Sequence, residues 1–177
     1  MGNINDEISK KREILLKLID HAEKKIKSHT NRVFEAKLKR EPREMEEIRK
    51  LILSVKERIL RRKYQNKDDL IILKTLIAQI QYVIQELKEI EPILSTFDGS
   101  QILLNHILDI QVYLSITKEC TRSKNKGDLL KIFKKHHAKT FYQLVKKDKL
   151  DNGLPPNIKC EFTMSPSKKK SDKFHFF

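Results

Sequence analysis

From Met45 to Ile59 the chain reads MEEIRKLILSVKERI, and Met45, Ile48, Ile52, Val55 and Ile59 fall strictly three or four residues apart. An α-helix advances about 100° per residue, so this spacing lines all five side chains along one stripe and leaves the charged residues off it. A half-buried strand would alternate with period two, and no such alternation is present. The segment therefore reads as a helix with one apolar stripe, and a second element must cover that stripe.

Working outward, the N-terminal side supplies a partner. Ile8, Leu15, Ile19, Ala22, Ile26 and Val33 fall three, four or seven residues apart between Ile8 and Leu38, a stripe interrupted by Arg12 and His29. Glu41-Pro42 breaks the pattern, and Pro42 with Glu44, Glu46 and Glu47 suits a helix N-terminus. The first two helices are expected to pair as a basic antiparallel hairpin or coiled coil over residues 1 to 66. On the C-terminal side, Tyr64 to Lys67 is a polar break and Asp68 and Asp69 suit the next helix start. Leu70, Leu73, Ile77, Ile80, Ile84 and Leu87 form a third stripe, and Leu76, Val83 and Ile90 widen it, predicting burial on more than one side.

Pro92 and Asp98-Gly99 predict the end of that helix and a turn between Glu91 and Ser100. Shorter helices are expected at Gln101 to Tyr113, Thr117 to Ser123, Asp128 to His136 and Lys139 to Asp148. Thr117 is read as a helix N-cap and Gly127 as a tight turn between helices. Residues 67 to 150 thus form a second helical bundle, and 151 to 177 a basic tail. The fold class expected is all-α. Four Gly and five Pro in 177 residues agree with long helices rather than many-turned sheets.

The net charge of +14 attracts acidic partners of any kind. It is unevenly placed: plus nine over residues 1 to 67, minus five over 68 to 116, plus eight over 117 to 150 and plus two in the tail. Two basic surfaces flank an apolar middle. At the end of the second helix Arg58, Arg61, Arg62 and Lys63 make a dense cationic cluster suited to nucleic-acid phosphates, DNA or RNA. The competing reading pairs such side chains with Glu44, Glu46, Glu47 and Glu57 as a solvated face.

In the C-terminal half, Ile107-Leu108-Asp109-Ile110, Leu114-Ser115-Ile116-Thr117-Lys118-Glu119, Ser123, Gly127 and Leu130 to His136 occur in an ordered series. This series resembles the N-terminal domain of transcription elongation factor TFIIS, shared with Elongin A and, in a related form, with the integrase-binding domain of LEDGF. The resemblance spans about residues 103 to 150, with Leu144-Val145-Lys146-Lys147 similar to the family's last helix. The chain departs from the pattern at Asp148, where the family usually has Trp. Its interval from His136 to Leu144 is shorter than in TFIIS and closer to the LEDGF form. The likeness implies a small bundle that holds acidic disordered segments with an apolar anchor. Thr117, Lys118, Arg122, Lys131, Lys134 and Lys135 are the residues this reading assigns to peptide binding, with Lys124, Lys126, Lys139, Lys146 and Lys147 available around the same notch.

Catalysis has no visible motif: no phosphate-binding glycine loop, zinc-protease helix or nucleophile elbow occurs. His136-His137 point about 100° apart on a helix and do not make a metal pair. Cys120 and Cys160 form no CxxC, and Cys120 reads as a small core residue. His21 and His29 read as packing or surface residues of the hairpin. No enzyme activity, cofactor or metal is expected. Without an apolar run of roughly 20 residues or a signal-like N-terminus, the chain is expected to be soluble and intracellular, with no membrane partner. Gly2 lacks the Ser or Thr that a myristoylation motif wants, since position six is Asp6. Lys168 to Lys170 after Ser165-Pro166 read as a nuclear-import or phospho-regulated patch, and Phe174, Phe176 and Phe177 as groove-docking aromatics. The expected function is a non-catalytic adaptor in a nuclear transcription or chromatin complex, joined to other subunits through its amphipathic helices. The alternatives are a nucleic-acid-binding subunit and a structural coiled-coil component of a large assembly.

Overall fold

The computed structural model describes residues 3–36, 41–96 and 100–155. The Asp98-Gly99 turn, Cys160, the Lys168 to Lys170 triplet and the terminal phenylalanines lie outside them. Every element among the described residues is helical: α1 (Ile4–Glu35), α2 (Glu41–Arg61), α3 (Lys67–Thr96), α4 (Ser100–Cys120), α5 (Lys126–Lys135) and α6 (Lys139–Lys146). The chain is all-α.

The stripes read from the sequence are the core. Leu15, Ile19, Ala22, Ile26 and Val33 of α1 and Met45, Ile48, Ile52, Val55 and Ile59 of α2 are fully buried. Each such Ile or Leu contributes about 1.5–3 kcal/mol relative to exposure. Asn3 caps α1 by accepting from the Asn5 amide at 3.0 Å, so the helix begins four residues before Ile8. The two polar interruptions in the α1 stripe have the same explanation. Arg12 donates to the Leu60 carbonyl at 3.3 Å and the His29 ring bonds the Leu87 carbonyl at 2.9 Å, each reaching a backbone acceptor on a neighbouring helix.

Side-chain bridges fix the helix directions. Lys56 of α2 pairs with Asp20 and Glu23 of α1 at 2.9 and 3.2 Å, so α1 and α2 run antiparallel. Gln79 reaches Cys120 and Glu86 approaches His106, so α3 and α4 are antiparallel as well. The two hairpins lie side by side, α1 against α3 and α2 against α4, with α1 and α4 on one diagonal and α2 and α3 on the other. The expected division near residue 66 falls on the α2–α3 connection, yet the buried side chains on both sides of it form one continuous core. Helices α5 and α6 pack on the end where α3 begins and α4 finishes.

Three local expectations are corrected. Helix α3 does not stop at Pro92 but continues to Thr96. A proline there frees only the Lys88 carbonyl, and both residues are exposed to water, while Leu94 beyond it is fully buried. Lys25 to Glu91 at 2.7 Å and Arg32 to Ser95 at 3.1 Å hold this last turn on α1. Helix α4 runs unbroken through the expected gap at 114–116. Thr117 is not an N-cap: its hydroxyl donates back to the Tyr113 carbonyl at 2.8 Å, and burial of Tyr113, Leu114 and Ile116 holds the helix together. Gly127 does not form the turn either but sits inside the first turn of α5. The cap there is reciprocal, Asn125 accepting from the Asp128 amide and Asp128 from the Lys124 amide, both at 2.9 Å.

By length and composition Lys67–Ser95 is apolar enough to cross a bilayer, contrary to the expectation that no segment is. Most of that stretch is buried inside the bundle, because α3 packs against α1 on one side and α4 on another.

Candidate binding surface

The topology brings together what the sequence keeps apart. Helix α2 ends and α4 ends at the same end of the bundle, so the cluster of Arg58, Arg61, Arg62 and Lys63 adjoins the one that starts at Lys118 and Arg122. Arg62 makes the join, donating to the Thr121 carbonyl at 2.8 Å. Between the two helix ends lies a cleft of ≈450 Å³ lined by Ser54, Glu57, Arg58, Arg61, Arg62 and Thr121.

The four cations of the α2 cluster are not equivalent. Arg62 is largely buried and bonds Asp69 at 3.0 Å, with its guanidinium 5.0 Å from the centre of the Tyr64 ring. Asp69 in turn accepts the Gln65 amide at 2.7 Å and the Asn66 amide at 3.3 Å, closing the α2–α3 connection. Burial pushes the Tyr64 phenol up to about 12, partly offset by Arg62 and Arg12. Arg61 makes an exposed pair with Glu57 at 2.5 Å. Arg58, half-buried, and Lys63, exposed, have no carboxylate partner among the described residues.

The peptide-binding candidates also divide. Thr117 is fully buried and is removed from the surface. Lys135 pairs with Glu119 at 3.0 Å, and His136 reaches the same carboxylate at 2.7 Å, latching α5 to the end of α4. Burial alone would raise the Glu119 carboxyl, but the bonds from Lys135 and His136 outweigh it and hold it below its ordinary value. Arg122, Lys131 and Lys134 are exposed and Lys118 half-buried, all without a carboxylate partner among the described residues. Over residues 117 to 150 eleven Lys and Arg stand against three Asp and Glu, so most of these charges cannot be neutralised locally.

A second concavity escaped the sequence reading. On α6, Lys139, Thr140, Gln143, Leu144, Lys147 and the following Lys149 line a shallow notch of ≈340 Å³. Lys139 and Lys147 were visible as flanking charges, but the floor was not. The available signal is that Thr140 and Leu144 lie beside the buried Phe141 and Val145 rather than on their stripe.

Among the described residues no three of His, Cys, Asp and Glu come together as metal ligands. Cys120 is fully buried with Gln79 Nε2 at 3.5 Å, and burial pushes its thiol up to about 12, which keeps it protonated. His21 is exposed, whereas His29 is buried in the α1–α3 seam. No protein-family model, curated protein or solved structure matches the chain.

Proposed function

We propose that the chain is a non-catalytic adaptor of a nuclear transcription or chromatin assembly, whose basic end holds acidic disordered segments of other proteins. One observation carries this reading: two cationic clusters more than fifty residues apart meet at one end of the bundle, with Arg58, Lys63, Lys118, Arg122, Lys131 and Lys134 having no carboxylate partner among the described residues. Such a field steers an acidic chain and fixes its register. Exposed Leu53 and Leu60, seven residues apart on α2, give the same molecule an apolar contact for a neighbouring subunit. The resemblance to the TFIIS N-terminal domain supplies the partner class and the nuclear setting.

The competing reading is a nucleic-acid-binding subunit, favoured by the arginine-lined cleft at the α2 end. Against it, Arg62 is held by Asp69 and Thr121 and Arg61 by Glu57, which leaves few cations there to grip phosphates. Affinity capture from nuclear extract followed by identification of the bound segments tests the adaptor reading. Acidic disordered regions, lost when Lys131 and Lys134 are reversed to Glu, support it. Retention of nucleic acid alone, unaffected by that change, contradicts it.

A further inference from the structure

Helix α6 carries a site that the charge argument alone does not assign. Its buried face is fixed by Phe141, stacked on Phe133 of α5 with ring centroids 5.3 Å apart, and by Val145. Its other face carries a shallow notch lined by half-buried Leu144 and Thr140 and by exposed Lys139, Gln143, Lys147 and Lys149. At ≈340 Å³ the notch is at the small end of ligand sites, which run about 300–1,000 Å³. None of the three lysines has a carboxylate partner among the described residues.

The rim is held in place by backbone rather than by side-chain pairing. Asp148 adopts φ 56°, a left-handed conformation, and this lets the Lys149 amide bond back to the Leu144 carbonyl at 2.9 Å. The reversal brings Lys149 beside Leu144 and Lys147 instead of one turn further on. At the other end His137, at φ 57°, and the bond from the Ala138 amide to the Phe133 carbonyl at 2.8 Å fix where α6 starts. The notch is therefore preformed, and an incoming segment does not have to order it.

We propose that this notch seats one apolar side chain of an acidic segment on Leu144 and Thr140, while Lys139, Lys147 and Lys149 pair with carboxylates on both sides of that anchor. The inference rests on the adaptor reading for its partner class and adds where the anchor sits. Three cations around an apolar floor fit a peptide carrying both features. A nucleic acid would pair its phosphates with the lysines but finds no aromatic ring in the notch on which to stack a base, and a purely apolar partner would leave the lysines desolvated.

The test is fluorescence anisotropy of the full chain with a labelled synthetic peptide of about 15 residues, made of Glu, Asp, Ser and Gly around a single Leu. The same peptide with Ala for Leu should bind about tenfold more weakly, the effect of losing one buried branched side chain. Lys139→Glu with Lys147→Glu should weaken both peptides by about tenfold, and Leu144→Glu should erase the difference between them. Because Leu144 packs against the core, far-UV circular dichroism must accompany that variant. If it unfolds, the two exposed lysine reversals and the peptide pair decide. Equal binding of Leu and Ala peptides, unchanged by the lysine reversals, overturns the notch and leaves the adaptor reading standing. Failure of every acidic peptide to bind, with a single-stranded oligonucleotide bound instead, overturns both.

Discussion

The end of α2 and the α5–α6 unit are both dense in cations, yet they use them in different ways. At the end of α2 one arginine of the cluster, Arg62, is drawn inward, while Arg61 and Lys63 stay exposed. Arg62 ties Thr121, Asp69 and Tyr64 together and closes the connection between the two hairpins. Around α5 and α6 the charge is lysine and mostly faces water, and among the described residues Lys135 alone is drawn into a carboxylate pair, by Glu119. A planar guanidinium with several donors suits a fixed internal junction, whereas a lysine on a flexible stem suits a mobile acidic partner. Composition alone does not separate a structural cation from one available for binding. Burial and pairing do.

The largest effect expected from this contrast concerns α4 to α6 as a whole. A purely structural coiled-coil reading predicts that residues 100 to 150 can be deleted without loss of assembly. Since α4 packs against both α2 and α3 in a single core, the deletion should abolish cooperative unfolding, which a thermal melt followed by circular dichroism would register. A folded residues 1–99 fragment with a sharp melt would break the comparison.

Next in size, Arg62→Ala should cost about 2 kcal/mol in urea denaturation, because it leaves the buried Asp69 carboxylate with only the Gln65 and Asn66 amides and no opposite charge. Lys131→Ala and Lys134→Ala should stay within about 0.5 kcal/mol. Equal costs at the two regions would contradict the assignment of inward and outward roles.

The α1–α3 seam gives a pH signature of its own. Burial lowers the His29 pKa, outweighing the bond to Leu87 and the field of Glu91, with Lys25 and Arg32 acting in the same direction as burial. Above the ordinary value of 6.5 both folded and unfolded rings are neutral and stability is complete. As the pH falls below it, the unfolded chain takes a proton that the buried ring refuses, so stability drops until the folded ring itself titrates. Urea midpoints between about pH 7.5 and 5.5 should show this loss. His29→Gln, which retains a donor for Leu87, should flatten it.

The smallest change expected is a gain. His137 and Asp148 hold left-handed backbone at the ends of α5 and α6, where glycine costs least. His137→Gly and Asp148→Gly should each add about 0.5–1 kcal/mol, read from the urea midpoint.

What could be read from the sequence follows from which forces are local. The stripes of α1, α2 and α3 were legible because three-to-four spacing maps directly onto one face, and the added Leu76, Val83 and Ile90 correctly implied burial of α3 on several sides. Pro92 and Thr117 misled because their local preferences were outweighed by burial of Leu94, Leu114 and Ile116 around them. The meeting of Arg62 with Thr121 was not legible, since it depends on how two hairpins lie together. Nor was the place of Lys149 on the rim of the α6 notch, which depends on a left-handed turn at Asp148 that no glycine announces.

The most direct test of the account is a salt series comparing the full chain with an acidic, Leu-anchored peptide and with a single-stranded oligonucleotide of equal charge. The account predicts that the peptide binds more tightly and loses affinity only shallowly between about 50 and 200 mM salt, as expected where apolar contact contributes. Tighter binding of the oligonucleotide, with affinity falling steeply and linearly in log salt while the peptide fails to bind, would contradict it.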